Sequence, residues 1–239
     1  MSVEPVWLKE VKCPACDFGF KTPRMRATAL RVKSGDSDFH KTYEGLRPLL
    51  YAVTTCPSCN YSARNDDFDK VTLEYHKEIL SLAKVIKDSK KAVAFPQTAQ
   101  TDTETAVKKH LLAVTYYKHF KPENPNTIAG VYMHIAWMYR EDGNAEKERE
   151  YLKHALEYYI KTYEKGVQIP EKIGEPGISY LIGEISRMLG ERNEAVKWFA
   201  KTVQHEQIGN FPHVENLARE AWEKITQEKR SEKTSQEGL

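Results

Sequence analysis

Every cysteine in this chain belongs to one of two Cys-Pro-x-Cys pairs, Cys13-Pro14-Ala15-Cys16 and Cys56-Pro57-Ser58-Cys59, with 39 residues between them. A C-x2-C turn lets two thiolates converge on one ion, so two such turns supply four soft ligands in a closed tetrahedron with no position left for substrate. The pattern predicts one structural Zn2+ bound by Cys13, Cys16, Cys56 and Cys59. Two other chemistries use similar pairs. A redox dithiol should open a helix after a strand, and Asp17-Phe18-Gly19-Phe20 and Asn60-Tyr61-Ser62-Ala63 are both weak helix starts; a pair of structural disulfides requires an oxidising compartment. Gly or Asn just past the second cysteine suits the positive-φ bend of a metal knuckle, a preference that Asn60 meets and Asp17 meets less well. His40 is the one histidine between the pairs and reads as polar surface, not as a ligand.

The 239 residues are 40% hydrophobic and 29% charged with a net charge of +2, the composition of a globular protein with no strong overall attraction to nucleic acid or membrane. Met1-Ser2-Val3-Glu4-Pro5 lacks the basic and apolar regions of a signal peptide, and no stretch approaches the ~20 apolar residues that span a bilayer. A cytoplasmic location, where thiols stay reduced and hold metal, is the expectation.

The periodicity changes near residue 65. Before it, short β-like pieces at Trp7 to Lys12, Met25 to Val32 and Leu49 to Thr55 are broken by Pro23, Gly35, Gly45 and Pro48. After it, nearly everything is helical. Phe68, Val71, Tyr75, Ile79, Leu82 and Ile86 form an amphipathic stripe opened by Asp66-x-x-Asp69, and Phe95-Pro96 ends that neighbourhood. Thr101-x-x-Glu104 reads as a capping box for the helix carrying Val107, Leu111, Val114 and Tyr117. The last helix is expected from Pro212 to about Gln227, ahead of a polar tail. The predicted fold class is α+β, mostly α: a small β-rich zinc-binding module over 1–65, a tetratricopeptide-like array of helical hairpins over 66–228, and a disordered tail over 229–239. Module and array are expected to have separate cores.

A repeat in the helical half supplies the second clue. Gly183, Gly190-Glu191-Arg192-Asn193-Glu194-Ala195 and Phe199 fit the tetratricopeptide pattern of a small residue in the first helix, a Gly turn, then Ala and an aromatic in the second. Gly143 aligns with Gly190, 47 residues on, against ~34 in the standard repeat, and places Tyr132, Ile135, Ala136, Leu152 and Ala155 in register; Glu148 departs from it. Stacked hairpins leave a concave face. In this register the face carries Met133, Trp137 and Arg140 from one pair and Tyr180, Glu184 and Arg187 from the next. Trp137 and Tyr180 are the expected apolar anchors for a peptide, and Arg140 and Arg187 the carboxylate readers; the plainer reading of the two arginines is solvated surface.

The order Cys-Pro-x-Cys, Leu30-Arg31-Val32, Asp36-Ser37-Asp38-Phe39, Pro48 to Tyr51 and Cys56-Pro57-Ser58-Cys59-Asn60-Tyr61 resembles the bacterial DUF2225 proteins, a family of unknown function. The resemblance implies a cytosolic bacterial protein with an N-terminal metal-binding module and a tetratricopeptide-like remainder; it names no activity. The family tends to carry Gly after each cysteine pair, where this chain has Asp17 and Asn60. Asp36 and Asp38 follow Ser34-Gly35 and read first as a turn, with a hard-cation or acid–base role as the alternative. Phosphate-loop, dinucleotide, zinc-protease and serine-hydrolase motifs are absent from the sequence, so an enzyme is the least supported class. The expected function is a zinc-stabilised scaffold or adaptor for an unidentified protein or peptide, without a membrane partner. The alternative is a nucleic-acid-binding or regulatory protein using the basic segment of Lys21, Arg24, Arg26, Arg31 and Lys33.

Overall fold

The computed structural model describes residues 4–88, 95, 98–166 and 168–237, the side chains of 87 and 229–237 excepted. The N-terminal part contains three antiparallel two-stranded hairpins: β1 (Val6–Lys12) with β2 (Gly19–Met25), β3 (Val32–Gly35) with β4 (Lys41–Tyr43), and β5 (Val53–Thr55) with β6 (Ser62–Arg64). Among the described residues seven α-helices follow: α1 (Leu73–Asp88), α2 (Thr103–His119), α3 (Pro125–Glu141), α4 (Ala145–Lys165), α5 (Gly174–Met188), α6 (Arg192–Val203) and α7 (Pro212–Glu237). The protein is thus mostly helical, with its small sheets confined to the N-terminal part.

Several local expectations are corrected. Met25 to Val32 is no strand, because the chain turns through a 3-10 helix at Ala27–Ala29, and Pro48–Tyr51 forms another such turn before β5. Helix α1 starts at Leu73, not near Asp66; Phe68 instead lies in a turn, 1% exposed. Asp102, not Thr101, caps α2, its carboxylate accepting the Thr105 N–H at 2.7 Å. Helix α7 continues past Gln227 to Glu237, through the segment expected to be disordered. Pro96 lies outside the described residues.

Consecutive helices pack on one another, most extensively α3 on α4 and α5 on α6. Helices α3 and α5 end in the same way. Gly143 and Gly190 sit at φ 71° and 83°, a left-handed conformation that costs glycine no side-chain clash. The amide of Gly143 donates to the Arg140 carbonyl and that of Asn144 to Tyr139; Gly190 and Glu191 repeat the pattern onto Arg187 and Ser186. Each end is therefore a Schellman cap, and the chain leaves both helices along the same path.

The expected separation of cores is not found. One cluster of buried residues runs from Cys13, Phe20, Val53 and Tyr61 of the hairpins through Ala113 and Tyr116 of α2 to Ile135 of α3 and Ile182 of α5. A second, around Phe199, Val214 and Ile225, joins α5, α6 and α7, and Phe39 packs against both. The β5–β6 hairpin lies on α2, where the Tyr61 and Tyr116 rings meet edge-on at 5.3 Å. Hairpins this small do not bury enough surface to stand alone in water, so α2 is part of their fold.

Close approach of α5 and α6 depends on Gly183. A Cβ there would come within 2.8 Å of the wholly buried Phe199 ring, whereas one at Gly130 of α3 meets open space. Gly183→Ala is expected to cost about 1–3 kcal/mol by overpacking. Gly130→Ala should instead stabilise by about 0.5–1 kcal/mol, since it only removes backbone freedom from a helix interior. Urea unfolding of both variants checks the pair, and equal midpoints would mean that α5 and α6 spread without cost.

Candidate functional site

The two cysteine pairs form the loops of two different hairpins. Cys13–Cys16 join β1 to β2 and Cys56–Cys59 join β5 to β6. The turns are near copies. Cys13 N–H donates to Phe18 O at 2.9 Å and Asp17 N–H to Cys13 O at 3.0 Å; Cys56 N–H donates to Tyr61 O at 2.8 Å and Asn60 N–H to Cys56 O at 2.9 Å. Asp17 and Asn60 both adopt positive φ, 60° and 58°. These are the residue types that tolerate the left-handed region best after glycine, so the departure from Gly leaves the knuckle geometry intact.

All four sulfurs lie within 4.8 Å of one another, with Cys13 to Cys59 at 3.7 Å and Cys16 to Cys56 at 3.6 Å. A disulfide needs about 2.05 Å. Sulfurs at about 2.3 Å from a tetrahedral ion stand about 3.8 Å apart, so the spacing suits a shared metal and excludes bonded pairs. The site is part-buried, and Tyr116 of α2 closes one side, its hydroxyl donating to Cys59 O at 3.4 Å. Hydrogen bonds from Cys13 and Cys59 bring the Cys56 thiol down to about 2, while Cys13, bonded to Cys56, rises to about 12 and Cys59 rises as well. A divalent ion is what holds all four deprotonated.

The third hairpin, β3–β4, reaches the helices. Its tip, residues 36–40, sits against α3 and α5, where Trp137, Arg140, Tyr180 and Glu184 of the expected concave face grip it. Asp38, 1% exposed, accepts from Trp137 Nε1 at 2.8 Å and from Arg140 Nη2 at 2.7 Å; Asp36 accepts from Arg140 Nη1 at 2.9 Å. Tyr180 donates its hydroxyl to the Ser37 carbonyl at 2.8 Å, and its ring packs on Phe39 at 5.5 Å. Ser37 donates its hydroxyl to the fully buried Glu184, which also accepts from Arg187 at 2.6 Å. Met133 is 1% exposed and belongs to the core, not to a surface that reads a ligand.

Arg140 is the centre of this network. Its Nε donates to Glu148 at 2.7 Å, so three carboxylates surround one guanidinium. Burial works against the charge, but the hydrogen bond and field of Asp38, then those of Glu148, outweigh it and push the Arg140 pKa up. Arg187 rises as well, chiefly through its hydrogen bond to Glu184. Neither arginine is plain solvated surface.

His40 is 2% exposed rather than superficial. It stacks on Trp137 at 5.0 Å and places Nε2 3.2 Å from Glu141 Oε1. Arg47 closes on the other Glu141 oxygen at 2.6 Å. Burial raises the Glu141 pKa, and the close approach of His40 with the hydrogen bond and charge of Arg47 more than reverses this and lowers it. Asp38 also accepts from the His40 amide at 3.3 Å, so the expected turn exists. It is one part of what the acidic pair does.

Sequence reasoning missed the roles of Asp36, Asp38, Phe39, His40, Glu141 and Glu148. The available signal was two carboxylates and an aromatic midway between two knuckles that had to meet, in a chain whose repeat offered two equivalent arginines. In the basic segment, Arg24 donates to Pro23 O, Arg26 to Glu4 O while lying over the Trp7 ring, and Arg31 to Thr28 O and Leu30 O; Lys21 stands 3.5 Å from Glu10, and Lys21, Arg31 and Lys33 are exposed.

Fold and site together define a mostly helical protein with an N-terminal four-cysteine centre, and no helix among the described residues is long and apolar enough to cross a membrane. The chain belongs to the family described as uncharacterized protein conserved in bacteria (DUF2225), which it matches over residues 6–225. It is also 22% identical over 160 residues to an uncharacterized protein of Borreliella burgdorferi, a match covering 60% of this chain and 56% of that protein. The chain thus spans a little over half the length of that relative. No solved structure matches it.

Because cluster, hairpins and α2 share one core, metal loss should not leave the helices untouched. Cys16→Ser, or chelation of the bound metal, is expected to lower the melting temperature in a single transition seen alike by far-UV circular dichroism and Tyr61/Tyr116 near-UV signals. Two separated transitions, with the helical one unmoved, would restore the separate-core expectation.

Proposed function

We propose that this protein is a non-catalytic scaffold in which four thiolates hold Zn2+ and a tetratricopeptide-like helical array binds an acidic peptide segment of a partner protein. The observation that carries the reading is the way Trp137, Arg140, Tyr180 and Glu184 handle residues 36–40: two carboxylates are held by Arg and Trp, a main-chain carbonyl by Tyr, a hydroxyl by Glu, and an aromatic ring lies on Tyr180. These are the ingredients of peptide recognition, a main-chain contact for affinity and side-chain contacts for specificity. The array reading draws on the matched caps of α3 and α5 and on the tight Gly183–Phe199 contact. Zinc is favoured over other ions by an all-thiolate tetrahedral donor set with no open position.

Arg140 and Arg187 differ in what their loss costs. Arg140→Ala leaves Asp38 buried beside no cation, which is expected to destabilise by about 3–5 kcal/mol, so its effect on binding is inseparable from folding. Arg187 is 39% exposed and pairs with one carboxylate, and Arg187→Lys keeps that charge while losing the two-pronged grip.

Metal analysis of protein purified under reducing conditions should find one zinc per chain, and zinc-free folded protein would remove the metal assignment. Selection of a random peptide library on the immobilised protein should enrich acidic sequences with an aromatic residue, and Arg187→Lys should reduce that enrichment. A selection with no enrichment counts against the scaffold.

A further inference from the structure

The β3–β4 hairpin is fastened by its tip and by little else. All four residues of β3 are exposed, β4 is at most half-buried, and neither strand packs appreciably on another element. The ladder is interrupted by a register shift between Val32 and Ser34. An isolated two-stranded hairpin is marginal in water, so this one takes its order from the groove. The docked tip also carries strain. Phe39 sits at φ 71°, a conformation that a bulky side chain adopts only where its surroundings impose it.

We propose that residues 36–40 are a tethered stand-in for the true ligand, and that a partner segment of the pattern Asp-x-Asp-aromatic binds the same groove by exchange with the hairpin. This rests on the scaffold reading and adds the ligand pattern and the gate. The ligand class follows from the occupant. The two aspartates reach Arg140 and Trp137, the intervening residue offers only its carbonyl and a small hydroxyl, and the aromatic ring lies between Tyr180 and His213, at 5.5 and 6.5 Å. Gly45, at φ 65°, follows β4 at the end of the hairpin. A groove filled in cis binds in trans with an affinity reduced by the fraction of time it stands open. Tethering keeps the hairpin at high effective concentration, so only a ligand making equal or better contacts displaces it.

The test uses full-length, metal-loaded protein and a fluorescein-labelled peptide with the sequence of Gly35 to Lys41. Anisotropy titration should give binding roughly tenfold or more tighter to the Asp36→Asn/Asp38→Asn variant, whose own tip is weakened, than to the wild type. A peptide with both aspartates changed to asparagine should bind neither. Equal affinity for both proteins overturns the exchange and leaves the scaffold standing. Binding to neither overturns the exchange, and it removes the scaffold as well if the library selection is also flat. A dimer of the wild type that forms with concentration and carries swapped hairpins overturns the partner assignment in favour of a second copy. Should the variant fail to fold, hydrogen exchange on the wild type decides: millimolar peptide should speed exchange of amides 32–43 and leave α3 unchanged, and a hairpin as protected as α3 and indifferent to peptide overturns the proposal.

Discussion

Four sulfur atoms gathered within 4.8 Å set the terms for the rest of this structure. They lie on two hairpins that share no ladder, so the sulfur cluster joins β1–β2 to β5–β6 together with the Phe20, Tyr61 and Phe68 rings. Its convergence also closes the intervening 39 residues into a loop with both ends pinned. Closing a loop of that length costs entropy that grows only slowly with length, and metal binding coupled to folding offsets it. The β3–β4 hairpin lies within that loop, and its tip meets α3 and α5.

What receives the tip is a single guanidinium. Asp38 could not be buried as an anion without a partner, because desolvating a lone carboxylate costs far more than any packing gain there would return. Arg140 makes it tolerable by meeting Asp38, Asp36 and Glu148 together, and Trp137 Nε1 adds a further donor. Buried ion pairs of this kind are weak contributors to net stability and strong determinants of arrangement, since any other placement of the tip strands a charge. Register between the N-terminal hairpins and the helical array is therefore an electrostatic matter as much as an apolar one. His40 on Trp137 and Arg47 on Glu141 extend the same seam toward the C-terminal end of α3.

Much of this was legible in the sequence where the physics is local. The cysteine spacing, the left-handed residues after each pair and the Gly caps at 143 and 190 act over a few residues, and each stands as a turn of the expected kind. Trp137, Arg140, Tyr180 and Glu184, which the repeat register groups on one face, all meet residues 36–40. The groove's occupant was not legible. Contacts from Asp36 and Asp38 to Arg140 cross more than a hundred residues, and a local rule already explained the two aspartates as a turn. His40 was misplaced for the same reason, because nothing in its neighbours announces a tryptophan from α3. The start of α1 at Leu73 was missed because the turn over 65–69 takes up Phe68 from the apolar stripe, and the cap of α2 lies one residue past Thr101, at Asp102.

Charge around the groove bears on what it can accept. Asp36, Asp38, Glu141, Asp142, Glu148 and Glu184 face Arg47, Arg140 and Arg187, six carboxylates against three guanidiniums. Such a surface has no capacity for a further anion while the hairpin is docked. Withdrawal of the tip takes two carboxylates away and leaves Arg140 with Glu148 alone, nearly balancing the remainder. On the proposed reading an acidic segment would have to enter in place of the hairpin and not beside it, so that occupancy in trans and docking in cis would exclude each other on electrostatic grounds.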